Sequence, residues 1–214
     1  MTTALGTHAT VVEVDSPGFE ISSDRRWLRF SDYALGLAQA VRRTGDDPVV
    51  VVGHSLGGLI ALQLAVQEPS LVAGLLLLDT APLMPTPVLT LMALSLKASA
   101  GLRAVGRRGG HPRARIYTPP RSVPPIVRMA WYLLCDGPAL AADLGAGKLS
   151  TVPTVVVSAG EHAVESLSRR THERLVAWIP SAELQVWEGT GHGLHLQRPD
   201  RVTLAALALL ERAS

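Results

Sequence analysis

Hydrophobic and polar positions alternate in blocks along the chain, and these blocks predict strands that alternate with helices. Short segments rich in Val and Leu predict strands at residues 10–14, 48–52, 75–79, 154–158 and 183–187. The second segment is the clearest, because four consecutive valines with no polar position are typical of a parallel strand buried on both faces. The pattern predicts about five strands.

In the stretches between and after these strands, apolar residues recur at helical spacing. This spacing predicts helices at residues 32–43, 59–67, 165–178 and 200–212, the first ending before Gly45 and the second before Pro69. Strands that alternate with helices form a mostly parallel sheet covered by helices on both faces. The predicted class is therefore α/β.

Between residues 81 and 149 this rhythm is interrupted by many prolines and glycines. We predict a helical cap inserted over the top of the sheet, with helices near residues 88–104 and 126–144. With 214 residues, the whole chain fits one domain that includes this cap.

Composition and charge narrow the class of partner. With 47% hydrophobic and 18% charged residues, the chain has the composition of a folded globular protein, and a net charge of +2 gives no field that would favour nucleic acid. A lone Cys135 excludes an intrachain disulfide, and no Cys/His spacing suggests zinc. The first ten residues lack a secretory signal, and the longest apolar run in the middle of the chain is too short to span a bilayer. We expect a cytoplasmic protein without metal or cofactor, and the oligomeric state stays open.

The strongest chemical signal is the sequence Gly53-His54-Ser55-Leu56-Gly57, which lies between a predicted strand and a predicted helix. In this context the G-x-S-x-G pattern predicts a sharp turn that exposes Ser55 at the carboxyl edge of the sheet, with Gly53 and Gly57 avoiding Cβ clashes. The amide of Leu56 at the helix N-terminus is then a candidate oxyanion donor. The alternative is that Ser55 only caps the helix.

Gly-His-Ser-Leu-Gly-Gly after a valine strand resembles the nucleophile elbow of the α/β-hydrolase superfamily, and the similarity extends over most of the chain. Residues 10–19 resemble the fourth strand of that family and its Asp-x-Pro-Gly-Phe turn. Residues 188–200 resemble the terminal strand, histidine loop and last helix. The resemblance implies that His192 is the general base, in preference to its neighbour His195, because His192 occupies the matched position. His54 is expected to pack or hydrogen-bond beneath the elbow, and His172 is expected at the surface.

The acid that orients the base departs from the family pattern. The position after the seventh strand that usually carries aspartate is Ala163 here. Two candidates remain, Asp79 at the end of the sixth strand, where some members of the superfamily carry their acid, and Glu161, two residues before the lost position. Asp79 is preferred, and a site without an acid is the third possibility.

The family normally begins with further strands and a His-Gly oxyanion loop, but this chain reaches the Asp-x-Pro-Gly turn by Asp15. We expect an N-terminally truncated form of the fold in which residues 10–14 pair directly with residues 48–52. Loss of one oxyanion donor typically costs ~100- to ~1000-fold in turnover. We therefore expect that a longer form of the protein, which includes the His-Gly oxyanion loop, is the active one.

The leading functional hypothesis is a serine hydrolase of an ester or related acyl substrate that works through an acyl-enzyme. Apolar side chains in the cap favour a small-molecule substrate with an apolar group. The main alternative is a catalytically impaired or non-catalytic domain that binds a ligand. Haloperoxidase-like or C–C bond chemistry on the same residues stays open, because one fold hosts many reactions.

Overall fold

The computed structural model describes residues 5–14, 29–83, 133, 136–160 and 165–213. The helices in these ranges are α1 (Phe30–Arg42), α2 (Leu56–Gln67), α3 (Gly137–Gly145), α4 (Glu165–Trp178), α5 (Leu194–Gln197) and α6 (Pro199–Ala213). The strands are β1 (Val49–His54), β2 (Val72–Leu78), β3 (Thr154–Ala159) and β4 (Ala182–Trp187), and a 3₁₀ turn, Pro69–Leu71, precedes β2.

The four strands form one parallel sheet in the order β1-β2-β3-β4. Consecutive strands are joined by connections that contain helices. Parallel pairing requires such crossover connections, because the chain must return to the starting edge of the sheet. The carboxyl ends are in register: His54 pairs with Leu78, Leu78 with Val157, and Ala159 with Trp187. The segments that follow all four strands therefore meet at one edge.

Hydrophobic packing covers both faces of this sheet. Alternate residues of β2 point to opposite sides: Leu75 and Leu77 join the cluster that contains α1, α2 and α4, whereas Leu76 and Leu78 join the cluster that contains α6. Both pairs are almost completely buried. The predicted α/β class with a parallel sheet and helices on both faces is confirmed.

The predicted first strand is wrong. Residues 10–14 are irregular, and the side chains of Val11, Val12 and Val14 are 36%, 52% and 48% exposed. The expected pairing of this segment with residues 48–52 is also wrong, since β1 pairs with β2 and no second partner of β1 lies in the described ranges. Valine favours a strand mainly where its side chain packs against neighbours, and that packing is missing here.

Most of the predicted cap, residues 81–149, lies outside the described residues, and so does its predicted helix at 88–104. The predicted helix at 126–144 is described only near its end, where Gly137–Gly145 is helical. None of the helices in the described ranges combines the length and the apolar character needed to cross a bilayer.

Candidate active site at the carboxyl edge of the sheet

Ser55 occupies a strained turn between β1 and α2. Its backbone has φ 54° and ψ −119°, in a left-handed region that residues with a Cβ rarely adopt. Three hydrogen bonds hold this conformation: Ser55 N–H donates to the carbonyl of Leu78 (3.0 Å), and the Ser55 carbonyl accepts from Gly58 N–H (3.1 Å) and Ala81 N–H (3.0 Å). The surrounding structure thus maintains a backbone strain of about 1–3 kcal/mol.

Two glycines allow the close packing of this turn. A Cβ on Gly53 would lie 2.6 Å from the carbonyl oxygen of Gly57, and a Cβ on Gly58 would lie 2.3 Å from Oγ1 of Thr80. The expectation that Gly57 also avoids a clash is wrong, because a Cβ there would meet nothing within 4 Å. Gly53 and Gly58 are thus the crowded positions, and Gly58 lies outside the pentapeptide.

Asp79 begins the turn after β2 with a second left-handed backbone, φ 43°. Its side chain is only 2% exposed, and both carboxylate oxygens have donors: Oδ1 accepts from Ala159 N–H (3.3 Å), and Oδ2 lies 2.6 Å from Nδ1 of His192. A carboxylate only accepts hydrogen bonds, so Nδ1 of His192 carries the proton in this contact. Nε2 is then the basic nitrogen of a neutral His192.

His192 lies in the loop that follows β4, with its side chain 53% exposed. Hydrogen bonds fix this loop on both sides of the histidine: Thr190 Oγ1 donates to the Trp187 carbonyl (2.6 Å), and Gly191 N–H donates to the side chain of Gln197 (3.0 Å). Gly189 adopts φ 70°, a conformation that glycine permits without strain.

His54, which immediately precedes Ser55, contacts the loop that carries His192. Its Nε2 lies 2.7 Å from the carbonyl oxygen of His192, and the two ring centroids are 4.7 Å apart. His192 is thus beside the residue that immediately precedes Ser55. Burial lowers the pKa of His54 from its ordinary value of 6.5. The hydrogen bond to the His192 carbonyl opposes this shift, and the nearby His195 and His192 add smaller lowering effects.

The structure separates the two histidines that compete for the role of base. His192 contacts Asp79, whereas His195, on α5, packs its ring on His54 with a centroid distance of 4.2 Å. Burial, followed by the nearby His192, lowers the pKa of His195. Glu161, the alternative acid, and Ala163 lie outside the described residues.

His172 was expected at the surface, and that expectation is wrong. It lies on α4 with no exposed surface, and its Nε2 donates to the carbonyl of Thr80 (3.0 Å), next to Asp79. The signal that identifies it is helical periodicity, because His172 precedes the fully buried Leu175 by three residues and the fully buried Ile179 by seven. His172 therefore supports the turn that contains Asp79 and Thr80.

Comparison with known proteins identifies the family of this chain. A family model described as "Alpha/beta hydrolase family" matches residues 1–206. The chain therefore belongs to the alpha/beta hydrolase family.

Individual relatives share less with this chain: each either matches only a short segment or has less than 25% sequence identity. A lipase of Mycobacterium tuberculosis, LipV, is 56% identical over 45 residues, a match that spans 21% of this chain and only 17% of the lipase. Among solved structures, NosK from Streptomyces actuosus is similar with a TM-score of 0.62 at 24% identity, covering 99% of this chain and 90% of NosK. An esterase from Thermogutta terrifontis gives a TM-score of 0.63 at 21% identity, covering 93% of this chain and 78% of the esterase. At these identities the structural likeness establishes the fold alone.

Proposed function

We propose that this protein hydrolyses an ester or a related acyl compound through a covalent acyl-enzyme on Ser55. The observation that carries the proposal is the 2.6 Å contact between Asp79 and Nδ1 of His192, at the same sheet edge as the left-handed Ser55. A nucleophile, a base and an orienting acid on loops at the same edge of the sheet form the arrangement used for acyl transfer. The partial match to a lipase and the fold shared with an esterase support the same class.

In the proposed reaction, the Ser55 hydroxyl attacks the carbonyl carbon of the substrate and gives its proton to Nε2 of His192. The charge that develops on the carbonyl oxygen is stabilised by Leu56 N–H at the N-terminus of α2. His192 then protonates the leaving alcohol, and water hydrolyses the acyl-enzyme by the reverse transfers. Asp79 keeps the proton on Nδ1 and stabilises the imidazolium that forms.

Each of these steps is written with groups of this chain and a water molecule, so the proposal includes no metal and no cofactor. An apolar acyl or alcohol group on the substrate stays a prediction from the sequence, because the cap side chains that suggest it lie outside the described residues. The alternative of a non-catalytic ligand-binding domain differs from the proposal in one measurable property, the reactivity of Ser55.

A fluorophosphonate probe and a p-nitrophenyl ester measure that reactivity directly. We expect the wild-type chain to be labelled, and the substitution Ser55→Ala to abolish labelling and reduce hydrolysis by about 10⁴-fold or more. Ser150→Ala is the matched control, because Ser150 is exposed and precedes β3, at the opposite edge of the sheet. A folded wild-type protein that the probe does not label would contradict the proposal and favour the ligand-binding alternative.

A further inference from the structure

His54 connects two parts of the site that the sheet keeps apart. It ends β1, which carries Ser55, while His192 follows β4, and two strands separate β1 from β4. The contact of 2.7 Å between His54 Nε2 and the His192 carbonyl crosses this distance along the carboxyl edge. A carbonyl only accepts hydrogen bonds, so His54 must be the donor and must carry a proton on Nε2.

We propose that His54 is a positioning residue that fixes the position of His192 relative to Ser55. This inference rests on the proposed function, since it concerns the geometry between the proposed base and the proposed nucleophile. Two hydrogen bonds of the loop, from Thr190 to Trp187 and from Gly191 to Gln197, join it to β4 and α5. The His54 contact joins it to the strand that ends at the nucleophile.

The side chain of His192 needs this support because it is half exposed. Asp79 orients the ring through Nδ1, but this contact alone does not fix the backbone from which the ring extends. His54 supplies a further point of attachment, at the carbonyl of the same residue, and this contact leads to the strand that carries Ser55. A displacement of about 1 Å in a reacting group can cost about 100-fold in rate, although the hydrogen bond itself contributes only about 1 kcal/mol to stability.

Two substitutions separate the hydrogen bond from the shape of the ring. His54→Phe keeps a planar ring and removes the donor, whereas His54→Gln places an amide N–H near the position of Nε2. We expect kcat of His54→Phe to fall by about 10- to 100-fold with KM changed by less than about threefold, because the defect lies in alignment. His54→Gln should recover most of the lost kcat. Both variants should fold, with thermal midpoints close to that of the wild type.

His195→Phe is the control for ring packing, because His195 contacts the ring of His54 at 4.2 Å. We expect its kcat to stay within about threefold of the wild-type value, as is usual for substitutions that remove no key hydrogen bond. A loss equal to that of His54→Phe would assign the effect to packing and overturn the inference.

A signal that does not depend on turnover completes the test. The proton shared by His192 and Asp79 should give a far-downfield proton NMR resonance, which Asp79→Asn removes. We expect this resonance to broaden in His54→Phe and to sharpen again in His54→Gln. If the wild type labels at Ser55 while His54→Phe labels equally fast and keeps the sharp resonance, the role of His54 is refuted and the proposed function stands. If the wild type itself is not labelled, the proposed function fails first.

Discussion

Burial of the Asp79 carboxylate is unfavourable unless hydrogen bonds compensate for the lost water. Two donors do so here, the backbone N–H of Ala159 and Nδ1–H of His192. Ala159 ends β3, which pairs with β2. Strand β3 therefore supplies a backbone donor to the carboxylate at the end of the neighbouring strand.

At the residue scale, the choice between Asp79 and Glu161 can be tested by two isosteric substitutions. In Asp79→Asn the amide nitrogen competes with Nδ1–H of His192 and favours the wrong tautomer. We expect kcat to fall by on the order of 10⁴-fold with little change in stability. Steady-state hydrolysis of a p-nitrophenyl ester measures this effect.

Glu161→Gln is the matched comparison for that substitution, because it removes the other candidate carboxylate. Its kcat should remain near the wild-type value. A larger loss in Glu161→Gln than in Asp79→Asn would transfer the role of acid to Glu161.

At the scale of elements, the N-terminus of α2 packs directly against the turn after β2. Gly58 faces Thr80, and His172 of α4 donates to the carbonyl of Thr80. Thr80 is thus in contact with two helices, immediately after Asp79. A side chain that displaces Thr80 should therefore also displace Asp79, the residue before it.

Alanine substitutions at adjacent glycines test this packing. In Gly58→Ala the new Cβ would lie 2.3 Å from Oγ1 and 3.0 Å from Cβ of Thr80, so rotation of the threonine cannot relieve the clash. We expect a loss of about 1–3 kcal/mol in the free energy of unfolding. Gly57→Ala should be neutral or stabilising by up to about 1 kcal/mol, because its Cβ meets nothing and alanine favours a helix. Urea denaturation measures the free energy of unfolding of both variants. Equal losses in the two would contradict the close packing of Gly58 against Thr80.

The elements differ in how well the sequence predicted them. Strands β1 to β4 were predicted within about three residues. β2 is an uninterrupted apolar run, as is typical of buried parallel strands, whereas β4 alternates apolar and polar residues. Residues 10–14 are also rich in valine, but their strand state depends on a packing partner that the sequence does not display. The contacts of His54 and His172 were also beyond sequence analysis, since they join residues 138 and 92 positions apart.

On the scale of the whole molecule, Asp136 joins parts of the chain more than a hundred residues apart. This buried carboxylate accepts from Phe30 N–H (2.5 Å) at the start of α1 and forms an ion pair with Arg29 (2.7 Å). It also precedes α3 directly. The N-termini of two helices are therefore held together by one side chain, at the end of the predicted cap region.

Replacement of Asp136 should consequently destabilise the whole fold. Asp136→Ala removes the acceptor of Phe30 N–H, while the 65% exposed Arg29 can be solvated again, so we expect a loss of about 2 kcal/mol. In a domain of this size that corresponds to a fall of about 4–8 °C in the thermal midpoint. Asp143→Ala is the matched control, because Asp143 pairs with Lys148 at the surface and such pairs contribute at most about 1 kcal/mol. Calorimetry that gave both variants the same midpoint would show that the contact with α1 contributes no more than an exposed ion pair.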